Sequence, residues 1–335
     1  MSAWRRRLLF TVWAAAIGSY FLVQANRDAH DKVVPGQKLH WLSATVWLKS
    51  SACAAETGAW LAVCVDGRLE PISNYAIADD PGHAFILAMK AKLTQREQNA
   101  LDIVQVNLAI NFGSLLLLCL LLLGVGNGLQ AFLLLLLATP VYLSGHTPGP
   151  HSAVMGAATL AALLPLCLLL RFEDLISGWR FGLAVVCGVL GLACAVLLRE
   201  PVGTMGLLMT AAALACLIWR KRSARIGWLA ACVVVASLLA WKSAALLLAY
   251  RDYLFPMPAS AYVTTHGTAH NLYLGLGVVH NKWGIQWRDA YGQEVAQQVK
   301  PDIVYASHEY FAILRRLYLQ RLWEDPGEVW RIYSF

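Results

Sequence analysis

Apolar positions in this chain come in long unbroken runs, not at the spacing of an amphipathic helix or an alternating strand. The runs are Leu8–Val23, Ile103–Leu123, Leu129–Leu143, Ala153–Leu170, Phe181–Leu198, Val202–Trp219 and Ile226–Tyr250. A bilayer core asks for about 20 mostly apolar residues per helix. The pattern therefore predicts a polytopic α-helical membrane protein of about seven transmembrane helices, with two extracytoplasmic segments of mostly helical or mixed structure. The run Leu129–Leu143 is short and follows its predecessor closely, which reads as a hairpin turning through Gly124-Val125-Gly126-Asn127-Gly128.

Polar positions fix the direction of threading. Arg5, Arg6 and Arg7 precede the first run, Arg171 and Arg180 bracket the loop after the fourth, and Arg220, Lys221, Arg222 and Arg225 fill the loop after the sixth. Short loops rich in Lys and Arg stay in the cytoplasm. With seven spans all three groups fall on one side, so the N-terminus is expected inside and the C-terminus outside, in a bacterial inner membrane. The expected organisation is residues 1–24 as the first span, 25–102 as an extracytoplasmic loop domain with an interfacial helix, 103–250 as a six-helix bundle, and 251–335 as a C-terminal extracytoplasmic domain. Val23-Gln24-Ala25 after a basic start also resembles a signal-peptide cleavage site, and cleavage would leave the sidedness of the rest unchanged.

Composition agrees with lipid as the main solvent: 58% hydrophobic and 14% charged residues, against about 25% charged in soluble domains. The net charge of +7 does not point to nucleic acid, because the basic residues are distributed around apolar spans and form no basic, aromatic-interleaved face. Eight cysteines are present, and Cys53 and Cys64 alone fall outside the runs. They either pair, if the outside is oxidising, or remain two buried thiols. No CxxC spacing suggests a thiolate zinc site.

Within the first outer segment, Ala44–Lys49 and Trp60–Val65 read as strands, with an Asp-Gly turn at Asp66-Gly67. Ala78-Asp79-Asp80-Pro81-Gly82-His83 then opens a helix over Ala84–Leu93, since Asp at the N-cap and Pro at the first helical position favour a start there. That helix, apolar with Lys90 and Lys92 near its end, is expected along the membrane surface. The stretch from His266 to Gly277, and on through Asn281 to Asp289, mixes glycines, aromatics and polar residues without a period and reads as a ligand-binding loop region. Tyr310–Tyr318 and Glu328–Tyr333 read as amphipathic helices separated at Asp325-Pro326-Gly327.

All nine histidines lie outside in this arrangement, which directs attention to that face. Asp79 and Asp80 could divide labour, one capping the helix and one serving as a general base, or both could be turn residues. His83, three positions after Asp80, shares the face of the cap and could bind a phosphate or orient the carboxylate, or stand as a solvated histidine. His266 and His270 have metal-ligand spacing, and with Asp289 they leave a divalent metal open. No metal site is assigned, because Gly267 disfavours a continuous helix and no HExxH exists. Tyr273, Trp283 and Trp287 could stack on a sugar ring or belong to the interfacial aromatic belt. Lys242, in the outer half of the last span, could meet a lipid phosphate or snorkel to the headgroups, and Arg251 just beyond it is a further outer cation. Asn107 and Asn111, one turn apart, are expected to cement helix packing.

The first span, the large outer loop with its acidic motif Asp79-Asp80-Pro81-Gly82-His83 and following helix, and the C-terminal outer domain together resemble the GT-C superfamily of membrane glycosyltransferases. That resemblance implies transfer of a sugar from a polyprenyl-phosphate donor to an extracytoplasmic acceptor, with Asp79 or Asp80 as base and outer basic groups on the donor phosphate. Two alternatives stay open. One is a non-catalytic membrane component that binds a lipid-linked glycan or a protein partner in envelope assembly. The other is a metal-dependent hydrolase or phosphotransferase of lipid headgroups built on His266, His270 and Asp289.

Overall fold

The computed structural model describes residues 3–32, 42–75, 80–124, 126–144, 147–175, 179–221, 224–260 and 267–334. Asp79 and His266 lie outside the described residues. Helix α1 runs Ala3–Lys32, well past the apolar run that predicts it. Its C-terminal turns bury Ala25 and Ala29 and accept a hydrogen bond from Gln105 Nε2 at Asn26 Oδ1, 3.1 Å.

Between α1 and the bundle lie α2 (Leu42–Thr57), a hairpin of β1 (Ala62–Val65) and β2 (Arg68–Pro71), and α3 (Pro81–Thr94). The strand expected at Ala44–Lys49 is the first half of α2. Its side chains pack with helical periodicity: Ala44, Trp47, Ser51 and Ala54 are buried on one face, and α3 lies against α2. A hairpin of two strands is marginal alone, and here a Cys53–Cys64 disulfide ties β1 to α2. Of the two outcomes left open for these cysteines, pairing is the one formed. Helix α3 starts at Pro81 as expected, yet it is a wall of this domain and not a bare surface helix, with His83, Ala84, Leu87, Ala88 and Ala91 buried.

The bundle follows with α4 (Ala100–Gly124), α5 (Gly128–Tyr142), α6 (Val154–Leu175), α7 (Trp179–Leu198), α8 (Glu200–Lys221), α9 (Ala224–Trp241) and α10 (Ser243–Leu254). Among the described residues, three helices are long and apolar enough to cross a membrane: Ala100–Gly124, His151–Leu170 and Glu200–Arg220. A fourth is reached if Ile226–Trp241 and Ser243–Leu254, bent by 56° at Lys242, make one broken span. Gly128–Tyr142 and Gly182–Leu198 are shorter apolar helices. The 15 residues of α5 reach only about 22 Å at 1.5 Å per residue, short of a hydrocarbon core of about 30 Å. This is a helical protein with the character of an integral membrane protein. Leu137, Leu190, Leu208, Val235 and Leu239 stand exposed on bundle helices, as lipid contact permits and water does not.

Small residues bring the helices together. A Cβ at Gly191 would meet Leu160 O of α6 at 2.9 Å, and one at Gly203 would meet Val196 Cα across the α7–α8 hairpin at 2.7 Å. That hairpin turns on Arg199 alone. At the start of α4, Asp102 is 2% exposed and gathers Lys90 Nζ and Arg96 Nη2, each at 2.6 Å.

The C-terminal unit is helical. It comprises α11 (Thr268–Gly275), α12 (Asp289–Val299), α13 (His308–Glu324) and α14 (Pro326–Tyr333) around Tyr273, Leu274, Tyr310, Leu314 and Ile332. The segment read as an aperiodic loop contains α11, because the core that organises it comes from α13 and α14, later in the chain. The break expected at Asp325 stands, with Asp325 Oδ1 accepting from Glu328 N at 3.0 Å.

Candidate functional site

The polar chemistry gathers where α3 meets one end of the bundle. Gly82, in the first turn of α3, sits against the last residues of α7: a Cβ there would lie 2.7 Å from Leu197 O. This close approach brings Asp80 to Arg199. Asp80 occupies the N-cap position of α3 but makes no side-chain cap bond. Its carboxylate, 1% exposed, has Oδ2 3.9 Å from Arg199 Nη1. Arg199 Nη2 is in turn 2.8 Å from His151 Nδ1. A carboxylate, a guanidinium and an imidazole from three separate elements thus stand together at one end of the helices. A buried ion pair of this kind is a poor source of stability, so its placement calls for another account.

Beside it, His83 is 1% exposed and no solvated histidine. Its ring stacks on Trp47 at 4.6 Å between centroids and 8° between planes, and Nε2 lies 2.8 Å from Asn107 Oδ1. Asn107 Nδ2 donates to Thr147 O and Gly149 O, 3.3 and 3.2 Å. Asn111 donates to Tyr142 O and Ser152 O and accepts from Gly156 N. Both asparagines do the packing work expected of them, tying α4 to the turn between α5 and α6.

The other expected site residues scatter. Lys242 is exposed at the break between α9 and α10, its Nζ 4.1 Å from the Trp241 ring centroid. Arg251 is 4% exposed and occupied: Nη1 donates to Leu61 O at 2.8 Å, and Nη2 pairs with Asp252 Oδ1 at 2.6 Å. It pins α10 to the hairpin domain. His270 is buried, with Nδ1 2.9 Å from Tyr310 Oη and Nε2 3.1 Å from Asp289 Oδ1. Asp289 and His270 therefore do meet. Among the described residues, however, no three His, Cys, Asp or Glu side chains converge on a point, and a third ligand from His266 falls outside them. Tyr273 is a core residue, its hydroxyl pushed up to about 12 by burial. Trp283 Nε1 donates to Glu324 Oε1 at 3.3 Å, while Trp287 is exposed on its own.

The sequence reading missed Arg199, His151's part in the cluster, and Glu200. Arg199-Glu200-Pro201 separates the apolar runs Phe181–Leu198 and Val202–Trp219. A charged pair in so short a break between apolar runs was the available signal. Glu200 Oε1 accepts from Thr268 Oγ1 at 3.1 Å, and Thr204 Oγ1 accepts from Trp241 Nε1 at 3.1 Å. The same turn that carries Arg199 therefore also holds the C-terminal unit.

Comparison with family models, with characterised proteins and with solved structures finds no match to this chain.

Proposed function

We propose that this chain is a membrane glycosyltransferase of GT-C-like layout. It moves a sugar from a polyprenyl-phosphate-linked donor to an extracytoplasmic acceptor. The observation that carries the reading is the Asp80 carboxylate set 3.9 Å from the outer arginine Arg199, with His151 beyond it. A lipid-linked donor presents its phosphate at headgroup level, where Arg199 and His151 are the cationic and hydrogen-bonding groups suited to it. Asp80, or Asp79 next to it, takes the proton of the acceptor hydroxyl as the sugar is transferred. The reading includes seven spans, a cytoplasmic N-terminus and an extracytoplasmic C-terminus. Short turns join α4 to α5 and α7 to α8, as antiparallel neighbours require, which supports back-and-forth threading.

The test is an envelope glycan and glycolipid profile of a deletion strain complemented with wild type, Asp79→Asn, Asp80→Asn or Arg199→Gln. A glycan lost on deletion, restored by wild type and not by one well-expressed Asn variant, supports transfer and identifies the base. Full restoration by both Asn variants overturns it and leaves the binding or assembly role.

A further inference from the structure

We propose that Cys53 and Cys64 are an oxidative-maturation site, and that this chain is a substrate of a thiol-oxidising protein partner on the outer face of the membrane. The disulfide joins the later turns of α2 to β1. The other six cysteines lie in bundle helices and are unpaired, so the only joined pair sits in the segment assigned to the outside. An oxidised pair there and thiols in lipid are what an oxidising outer compartment produces.

The packing sets an order of events. Cys53 is 2% exposed and clusters with Ala59 and Ala62. Phe255 and Met257, which follow the last bundle helix, pack over the same cluster. With those late residues in place, Cys53 is the more buried of the two cysteines. Cys64 is only half-buried, and both cysteines line an open cavity of about 620 Å³ between Lys49, Glu56, Tyr75 and Arg96.

The accessible Cys64 thiolate attacks the partner's disulfide, forming a mixed disulfide and releasing one partner thiolate. Cys53 then attacks the Cys64 sulfur and expels the second partner thiol. Two electrons and two protons pass from the chain to the partner, which ends as a dithiol. The product fastens β1 to α2, and α2 carries Trp47, against which His83 stacks. The proposal rests on the sidedness given above and not on the transfer chemistry.

Cells making the full-length chain are acid-quenched, alkylated, reduced and alkylated with a second label. Cys53 and Cys64 should carry only the second label, and the bundle cysteines only the first. First label on Cys53 and Cys64 overturns the proposal. Leu93→Cys, at a site 85% exposed, reports sidedness separately through a membrane-impermeant maleimide. Maleimide at position 93 of that variant, together with free Cys53 and Cys64, sinks the oxidation alone. In the second arm, the purified, dithiothreitol-reduced chain meets an oxidised thioredoxin-fold dithiol oxidase. Closure should accelerate by roughly tenfold or more over air, and Cys53→Ser should trap a reductant-sensitive adduct at Cys64 that Cys64→Ser does not match at Cys53. Equal closure with and without the oxidase, or equal trapping by the two variants, overturns the partner or the order.

Discussion

Gly82→Ala tests whether the meeting of α3 with α7 is what positions Asp80. The added Cβ would stand 2.7 Å from Leu197 O, 2.8 Å from Leu197 C and 3.1 Å from Leu198 N. All three are backbone atoms that no rotamer change can clear. Helix α7 is itself packed closely on α6, where a Cβ at Gly191 would meet Leu160 O at 2.9 Å. The first turn of α3 must therefore back off from 2.7 Å to an ordinary contact of 3.4 Å, about 0.7 Å. Overpacking of this size costs about 1–3 kcal/mol. Stretching Asp80–Arg199 from 3.9 Å by the same amount costs only about 0.6 kcal/mol at an effective dielectric near 20. Packing thus dominates the stability loss, while the altered ion pair governs any activity loss. The assay is thermal unfolding of the full chain in lipid nanodiscs, with Gly113→Ala beside it. Gly113 is helical and its Cβ would meet nothing within 4 Å, so alanine there should hold or raise the midpoint, by up to about 1 kcal/mol of helix propensity. Gly82→Ala should lower it by a few degrees. If the two variants melt alike, the close approach does not set the geometry and the account of Asp80 fails.

Three further outcomes follow from the same structure. Cys53→Ser with Cys64→Ser should cost about 2–3 kcal/mol, because the sequence separation of 11 closes a short loop in the unfolded chain. Chemical denaturation of the double variant against wild type checks it, and no difference would refute the clamp. Arg251→Met should destabilise by about 1.5–3 kcal/mol by removing the charged donor to the buried Leu61 carbonyl, which then keeps only its 3.2 Å bond from Ile72 N. The hairpin domain should then be cut by protease before the bundle, and an unchanged cleavage pattern would contradict this. Hydrogen bonds from Arg321 and from Lys282 hold Glu324 and Asp325, respectively, below the usual carboxylate range. Depressed carboxylates stabilise above the unfolded value of roughly 4 and lose that contribution as pH falls through their folded values. Hydrogen exchange over 326–333, corrected for intrinsic rates, should therefore rise at acid pH, and Lys282→Met should flatten the change.

Much of the polar chemistry can be located from sequence but not assembled from it. The start of α3 was legible because Asp80-Pro81 is a local signal. The packing roles of Asn107 and Asn111 were legible because amides one turn apart in an apolar run have few other uses. Ala44–Lys49 was misread because a short segment rich in small and β-branched residues satisfies both periods, and only the α3 surface selects the helix. Helix α11 was missed for a similar reason: its buried face is defined by Tyr310 and Ile332, which arrive later.

The sequence by itself determined the helical class and the apolar character of the bundle. These follow from hydropathy, length and charge, all of them local properties of the chain. Only the tertiary structure decided that Asp80 meets Arg199 and not Lys242, that Arg251 is consumed by Leu61, and that the last apolar run breaks at Lys242. Each depends on contacts between segments far apart in the chain. A spacing of apolar residues fixes which face of a helix is buried, but not which neighbour covers it.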